Sequence, residues 1–199
     1  MAEKVIEKGL EFRTRIGEAL VGEMPELAHI DVAIGQKGGA FETAFLTALA
    51  TPRVGHTALL AILAPNYAVK LPGNLWESFK TSLLLAILAP NYAVKPTTLM
   101  VNKVTIKGAA QADLMFGPVQ AAIAKAVIDS VQERVIPAAA ENELLIIASV
   151  YIHGSASDKN KLYDYNYEAT KRAIGNGMRE SPTVDELLSQ KDTIVHPLR

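Results

Sequence analysis

One twelve-residue string occurs twice in this chain without a mismatch. LLAILAPNYAVK spans Leu59–Lys70 and returns at Leu84–Lys95, 25 residues further on. Chance identity over that length is negligible, and two copies do not make a solenoid. The string reads as one strand and turn, duplicated. Two identical strands cannot both occupy one place in a sheet, so the fold must admit one and carry the other at an edge or in a surface excursion. The extra 25 residues can be drawn as Leu71–Lys95 or slid back as far as Leu59–Leu83. Between the copies, Pro72-Gly73 is a turn signal. Leu75, Trp76, Phe79 and Leu83 then fall on one apolar helical stripe.

The rest of the chain is patterned as mixed α/β. Runs rich in β-branched residues predict strands over 12–21, 28–34, 56–63, 99–106 and 144–153. A helix is expected over Phe41–Ala50, entered through Gly38-Gly39, and a short one over Ala110–Phe116, stopped by Gly117. Pro118 suits the first turn of a longer helix running to about Arg134. Its Val119, Ile123, Val127 and Val131 recur every four residues and form a stripe for burial. A last helix, about Lys159–Ile174, can be capped by Ser157 or Asp158. The tail beyond Gly175 (residues 176–199) is polar and reads as irregular. No linker divides the chain, so residues 1–199 are expected to form one domain with 71–95 as an insertion.

Several function classes are excluded or disfavoured by composition. Twenty basic against 21 acidic residues leave a net charge of −1, which gives no electrostatic case for nucleic acid or an acidic membrane surface. With no cysteine, thiolate catalysis and Cys-ligated zinc are ruled out. The four histidines show no metal-ligand spacing, so no metal is expected. The first residues lack the apolar core of a secretory signal, and a cytoplasmic protein is the expectation. G-x-S-x-G, P-loop and G-x-G-x-x-G strings are absent.

Two polar pairs interrupt apolar strand-like runs: His29 and Asp31 in AHIDVAIG, and Lys103 and Thr105 in TLMVNKVTI. Side chains two apart on a strand share a face. Charged groups are rarely buried unpaired, so each pair marks a solvated face or a cleft. By these residues alone, His29 is better read as a satisfied edge-strand histidine than as a catalytic one. Asp31 reads as a solvated strand-end carboxylate, and Lys103 and Thr105 as the wet side of a half-exposed sheet. Gln120, in the first turn of the long helix and off its stripe, reads as a capping partner.

Eight strings taken together resemble the formaldehyde-activating enzyme family of methylotrophic bacteria and archaea. They are GEALVG (17–22), AHIDVAIG (28–35), ETAF (42–45), APN before a Lys-Pro pair, NKVTI (102–106), MFGPVQ (115–120), YIHG (151–154) and YNYEATK (165–171). The resemblance covers about Gly17–Ile174, in order and with compatible spacing. It implies an α/β protein of the α+β type, a two-layer sandwich with a mostly antiparallel sheet covered by helices. It also implies a homopentamer with sites between neighbouring subunits. The implied reaction joins formaldehyde to tetrahydromethanopterin, the co-substrate, giving the methylene derivative and water, in one-carbon metabolism and formaldehyde detoxification. Carried over by position, the family's proton donor falls on His29, and its pterin contacts fall on Asp31, Leu60, Lys103, Thr105 and Gln120. The duplication makes Leu85 the counterpart of Leu60. A second reading is a non-catalytic relative that binds formaldehyde or a pterin as a sensor or carrier. Intact His29, Asp31, Lys103, Thr105 and Gln120 favour the enzyme, because a binder has no need of a proton donor.

Overall fold

The computed structural model describes residues 12–51, 53–63 and 92–195. Its strands are β1 (Arg15–Val21), β2 (Ala28–Gln36), β3 (Ala58–Leu60), β4 (Thr97–Asn102) and β5 (Leu144–Tyr151). They form one sheet in the order β1-β2-β5-β4-β3. Only the β4–β5 pairing is parallel; β1–β2, β2–β5 and β3–β4 are antiparallel. Helices cover the sheet, so the architecture is α+β in two layers, as expected.

Strict alternation in AHIDVAIG sets the layering. Ala28, Ile30, Val32 and Ile34 are buried, while His29, Asp31 and Ala33 are only half-buried. The buried set packs with Val119, Ile123 and Val127 of one helix and Leu162, Ala169 and Ile174 of another. That is the stripe whose four-residue spacing is visible in the sequence. The opposite face is covered at one end only. There α1 (Ala40–Ala50) lays Phe45 on Leu99 and Leu145, flanked by Phe41, Ala48, Val101 and Ile147.

Three helical expectations need correction. The chain does not break at Gly117. Instead α2 (Ala109–Leu114) runs through one π-helical turn (Met115–Val119, holding Pro118) into α3 (Gln120–Gln132). Proline lacks an N–H and its ring crowds the preceding turn; the wider π turn accommodates both without ending the helix. Ala109–Gln132 is long and apolar enough to cross a membrane by length and composition, but 61% of its apolar window is buried inside the protein, as befits a core helix.

The second correction is the last long helix. α4 spans Lys159–Arg179, beyond Ile174, and Asp158 caps it by accepting from the N–H groups of Asn160 (3.0 Å) and Lys161 (3.1 Å). Glycine inside a helix usually costs about 1 kcal/mol. Here Gly177 and Gly17 of β1 let helix and strand touch backbone to backbone. A Cβ on Gly17 would lie 2.0 Å from the Ala173 carbonyl oxygen and 2.5 Å from the Gly177 nitrogen. The third concerns the tail, which is polar as expected but not irregular. It carries α5 (Val184–Gln190), opened by a reciprocal capping box between Thr183 and Glu186.

The duplicated string is used in an unforeseen way. The head of the first copy forms the end of β3 and continues to Leu63. The tail of the second copy returns beside it: Ile62 bridges Ala93 in antiparallel fashion, and Leu63 N–H donates to the Tyr92 carbonyl (2.8 Å). Leu85 and the Leu75–Leu83 stripe lie outside the described residues.

Candidate functional site

His29 and Asp31 project together from β2 onto the sheet face that α1 leaves open. The register places Tyr151 and Ser149 of β5 beside them on one side, and Leu20 and Glu18 of β1 on the other. Glu18 is thus directly opposite Asp31 and diagonal to His29, within reach of a long side chain. Its Oε1 lies 2.9 Å from His29 Nε2, while Asp31 Oδ1 lies 3.5 Å from the same nitrogen. The other Asp31 oxygen, Oδ2, lies 2.6 Å from Lys103 Nζ. Charges therefore alternate along the cluster: Glu18, His29, Asp31, Lys103. The side chain of Lys103 is 19% exposed, that of Glu18 57%. Although Nζ sits close to Asp31, the contact lacks hydrogen-bond geometry, and the ammonium has no hydrogen-bond partner among the described residues.

Lys103 reaches this cluster without Thr105. β4 ends at Asn102, so Lys103 and Thr105 do not share a strand face; the strand expected to reach Ile106 stops four residues short of it. Asn102 is what stops it. Its buried side chain accepts from Thr57 N–H (2.9 Å) and donates to the carbonyls of Gly55 (3.1 Å) and Val104. Lys103 N–H still donates to the Val150 carbonyl (2.7 Å), which aims its side chain at Asp31. Thr105 is exposed and packs its methyl over Gly55, where a Cβ would lie 2.3 Å from it. Gly55 has a φ of +71°, in the region that glycine tolerates best.

The remaining candidates stand apart from His29. Leu60 is 38% exposed at the edge strand β3, opposite Leu99. It lies on the face of the sheet that carries His29, but three strands from β2, about 14 Å across at ~4.8 Å per strand. Gln120 is buried at the first position of α3. That helix packs on the Ile30 face, whereas His29 points the other way. The chain thus brings together His29, Asp31 and Lys103, and does not bring Leu60 or Gln120 to them. Glu18 and Asn102 are the residues that sequence reasoning missed. Both lie in strings already singled out, but their roles depend on strand register and on where β4 ends.

Donor atoms of Glu18, His29 and Asp31 lie within 4.8 Å of one another, a spacing that one metal ion could bridge. The ammonium of Lys103 on Asp31 supplies a positive charge at the same place.

A histidine between two carboxylates, beside a largely buried ammonium and on an open sheet face, is equipped for acid–base chemistry on a polar ligand. The chain belongs to the formaldehyde-activating enzyme family, whose model matches residues 16–76 and 76–199. The break at residue 76 falls inside Leu71–Lys95, one placement of the extra segment. A 5,6,7,8-tetrahydromethanopterin hydro-lyase of Methanosarcina barkeri is 49% identical over 93% of this chain and 90% of its own length. A bifunctional enzyme Fae/Hps of Archaeoglobus fulgidus is 44% identical over 94% of the chain, and one of Methanothrix thermoacetophila 45% over 92%. The chain spans 41% and 40% of the length of those two bifunctional proteins.

Proposed function

We propose that this chain condenses formaldehyde with tetrahydromethanopterin to give methylene-tetrahydromethanopterin and water, with His29 as the general acid. The observation that carries the reading is the placement of His29 on the open sheet face, 2.9 Å from Glu18 and 3.5 Å from Asp31. The hydro-lyase relative named for that pterin supports the choice of substrate.

Formaldehyde and one pterin nitrogen add to form a carbinolamine. The imidazolium of His29 protonates its hydroxyl, the C–O bond breaks, and water leaves. The nitrogen lone pair closes an iminium, which the second pterin nitrogen attacks. That nitrogen then loses its proton, which returns the imidazole to its charged form. Formaldehyde and the pterin are consumed, methylene-pterin and water are produced, and no electron leaves the system. General acid catalysis of this kind contributes about 10²–10⁴-fold, and holding both reactants adds a proximity term. Asp31 and Lys103 present an acceptor and a donor side by side, a match for the polar edge of a pterin ring. Thr105 adds a hydroxyl on the same loop, and Leu60 an apolar contact.

Leu60 lies three strands from His29 and Gln120 on the helix of the opposite sheet face, so neither joins the His29 cluster within one chain. This supports a site completed by a neighbouring copy, in a homopentamer. The reading extends to a cytoplasmic enzyme of one-carbon metabolism that removes free formaldehyde, as in methanol utilisation. Purified protein mixed with formaldehyde and tetrahydromethanopterin should form the methylene derivative well above the spontaneous rate. A rate equal to the uncatalysed one would leave only a carrier or sensor. Light scattering should give about five times 21.4 kDa; a fully active monomer would remove the shared site.

A further inference from the structure

We propose that Tyr151 is a substrate-binding residue of this site, the aromatic platform against which the flat pterin ring lies. The proposal rests on the reading of the chain as a pterin-condensing enzyme, and adds a residue and a contact to it. Strand register makes Tyr151 the middle of the site. It is the direct partner of His29 across the antiparallel β2–β5 pair. On its other side, the parallel pairing sets Asn102 beside Val150, and Lys103 N–H donates to the Val150 carbonyl (2.7 Å), so Lys103 comes next to Tyr151. Residues in register on adjacent strands share a face. His29, Tyr151 and Lys103 therefore form one line across three strands, each about 4.8 Å from the next.

The side chains of β5 on this face change character along the strand. Leu145 and Ile147 pack with Phe45 and Phe41 of α1. Ser149 and Tyr151 lie past them, both half-buried. The small size of Ser149 explains how Lys103 meets Asp31. Because β5 lies between their strands, the lysine side chain has to cross it to bring Nζ within 2.6 Å of Oδ2. Tyr151 then separates His29 from that ion pair. The ring of His153, to whose Nδ1 the Ser155 N–H donates (3.2 Å), has its centroid 6.5 Å from that of Tyr151 and is tilted by 53°, so it does not cover Tyr151 by stacking. A pterin needs two kinds of contact. Its polar edge needs donors and acceptors, which Asp31 and Lys103 present. Its flat faces need apolar surface, which charged groups do not give and an aromatic ring does. A pterin lying against Tyr151 has the ion pair on one side and the proton donor on the other.

The test is Tyr151→Leu in the full chain, which keeps an apolar side chain and removes the ring. The KM for tetrahydromethanopterin should rise about 10-fold, the effect of one stacking contact, with kcat and the KM for formaldehyde within about 2-fold of the parent. Equilibrium dialysis of tetrahydromethanopterin without formaldehyde should show the same loss of affinity. Tyr151→Ile, a residue favoured in strands, should repeat it, and Tyr151→Phe should recover most of it. An unchanged pterin affinity in Tyr151→Leu and Tyr151→Ile overturns the proposal and leaves His29 as the acid untouched. An equal rise in the KM for formaldehyde overturns it too, since the sheet itself would then be disturbed. A loss that Tyr151→Phe fails to recover overturns the platform in favour of a hydroxyl contact. A parent chain that neither binds nor condenses the pterin would instead overturn the reading beneath, and the proposal with it.

Discussion

Neighbouring residues of β2 serve opposite sides of the molecule. Ile30 is fully buried against two helices; His29 and Asp31, one position to either side, stand half-exposed in a row of charges. The first side is closed by apolar packing, whose strength scales with area removed from water. The second is held by ion pairs that stabilise little and leave valences for a ligand. The contrast teaches that stability and chemistry are separated here by a rotation of half a turn along one strand. A substitution should strike one or the other according to the parity of its position.

The largest expected effect tests the open side. His29→Ala should slow condensation by about 10²–10⁴-fold while leaving the thermal midpoint nearly in place. A variant that kept most of its rate would remove the general acid. Its neighbour gives the opposite signature. Ile30→Ala should cost about 2–5 kcal/mol in denaturant unfolding and, in the fraction still folded, turn over normally. If both variants lost stability and activity together, the two sides would not be separable.

A polar pin within the closed layer sharpens the comparison. Tyr167 of α4 donates its hydroxyl to Asp129 of α3 at 2.7 Å, and Lys125 pairs with the same carboxylate. Hydrogen bonding to Asp129 and burial push the Tyr167 hydroxyl up to about 12. Burial pushes Asp129 upward too, but the hydrogen bonds from Lys125 and Tyr167 outweigh it and hold its carboxyl below the usual value. A raised tyrosine contributes stability that is complete below its ordinary value near 10 and is lost as pH rises through about 12. The lowered Asp129 contributes stability above its unfolded value that is lost as pH falls through the folded one. Tyr167→Phe should therefore cost about 2 kcal/mol near neutral pH, with condensation unaffected. Phenolate absorbance should lose a component titrating near 12. A variant as stable as the parent would show that the pin contributes nothing.

Wherever a residue's neighbours lie close in sequence, the fold was legible. The alternation of AHIDVAIG placed β2 and its two faces, and the four-residue spacing from Val119 to Val131 placed the core helix. Features that depend on distant partners were hidden. Gly175 looked like a helix end because the partner that makes Gly177 useful, Gly17, is far away in the chain. Gly117-Pro118 looked like a break because local rules do not weigh a π turn against a helix already packed on both sides. His29, Asp31 and Lys103 did come together, because Lys103 N–H extends the β4–β5 ladder one residue past Asn102, whereas Thr105 lies beyond the end of the strand. Glu18 was invisible as a site residue because only the β1–β2 register brings it to His29.

The smallest effect on catalysis is expected far from both sides, at the β3 edge. The described chain leaves the sheet at Leu63 and re-enters at Tyr92, and these two are hydrogen-bonded neighbours. Because the two copies are identical, deleting any 25-residue window between Leu59 and Lys95 yields one and the same protein. Deleting Leu71–Lys95 therefore equals joining Leu63 through Ala64-Pro65-Asn66 to Tyr67, which then stands where Tyr92 does. Three residues are an ordinary hairpin connection. Ile62 would keep its bridge, now to Ala68, and Lys70 would precede Pro96 as Lys95 does in the intact chain. The 28 residues between Leu63 and Tyr92 are replaced by three, so loop-closure entropy sets a ceiling of about 2 kcal/mol on the gain in stability. The row from Glu18 to Lys103 includes no residue of the hairpin, and the deletion retains Leu60, so the condensation rate should not change. An insoluble deletion product, or one folded but inactive, would show that the extra residues are integral to the protein and that its edge is as consequential as its two faces.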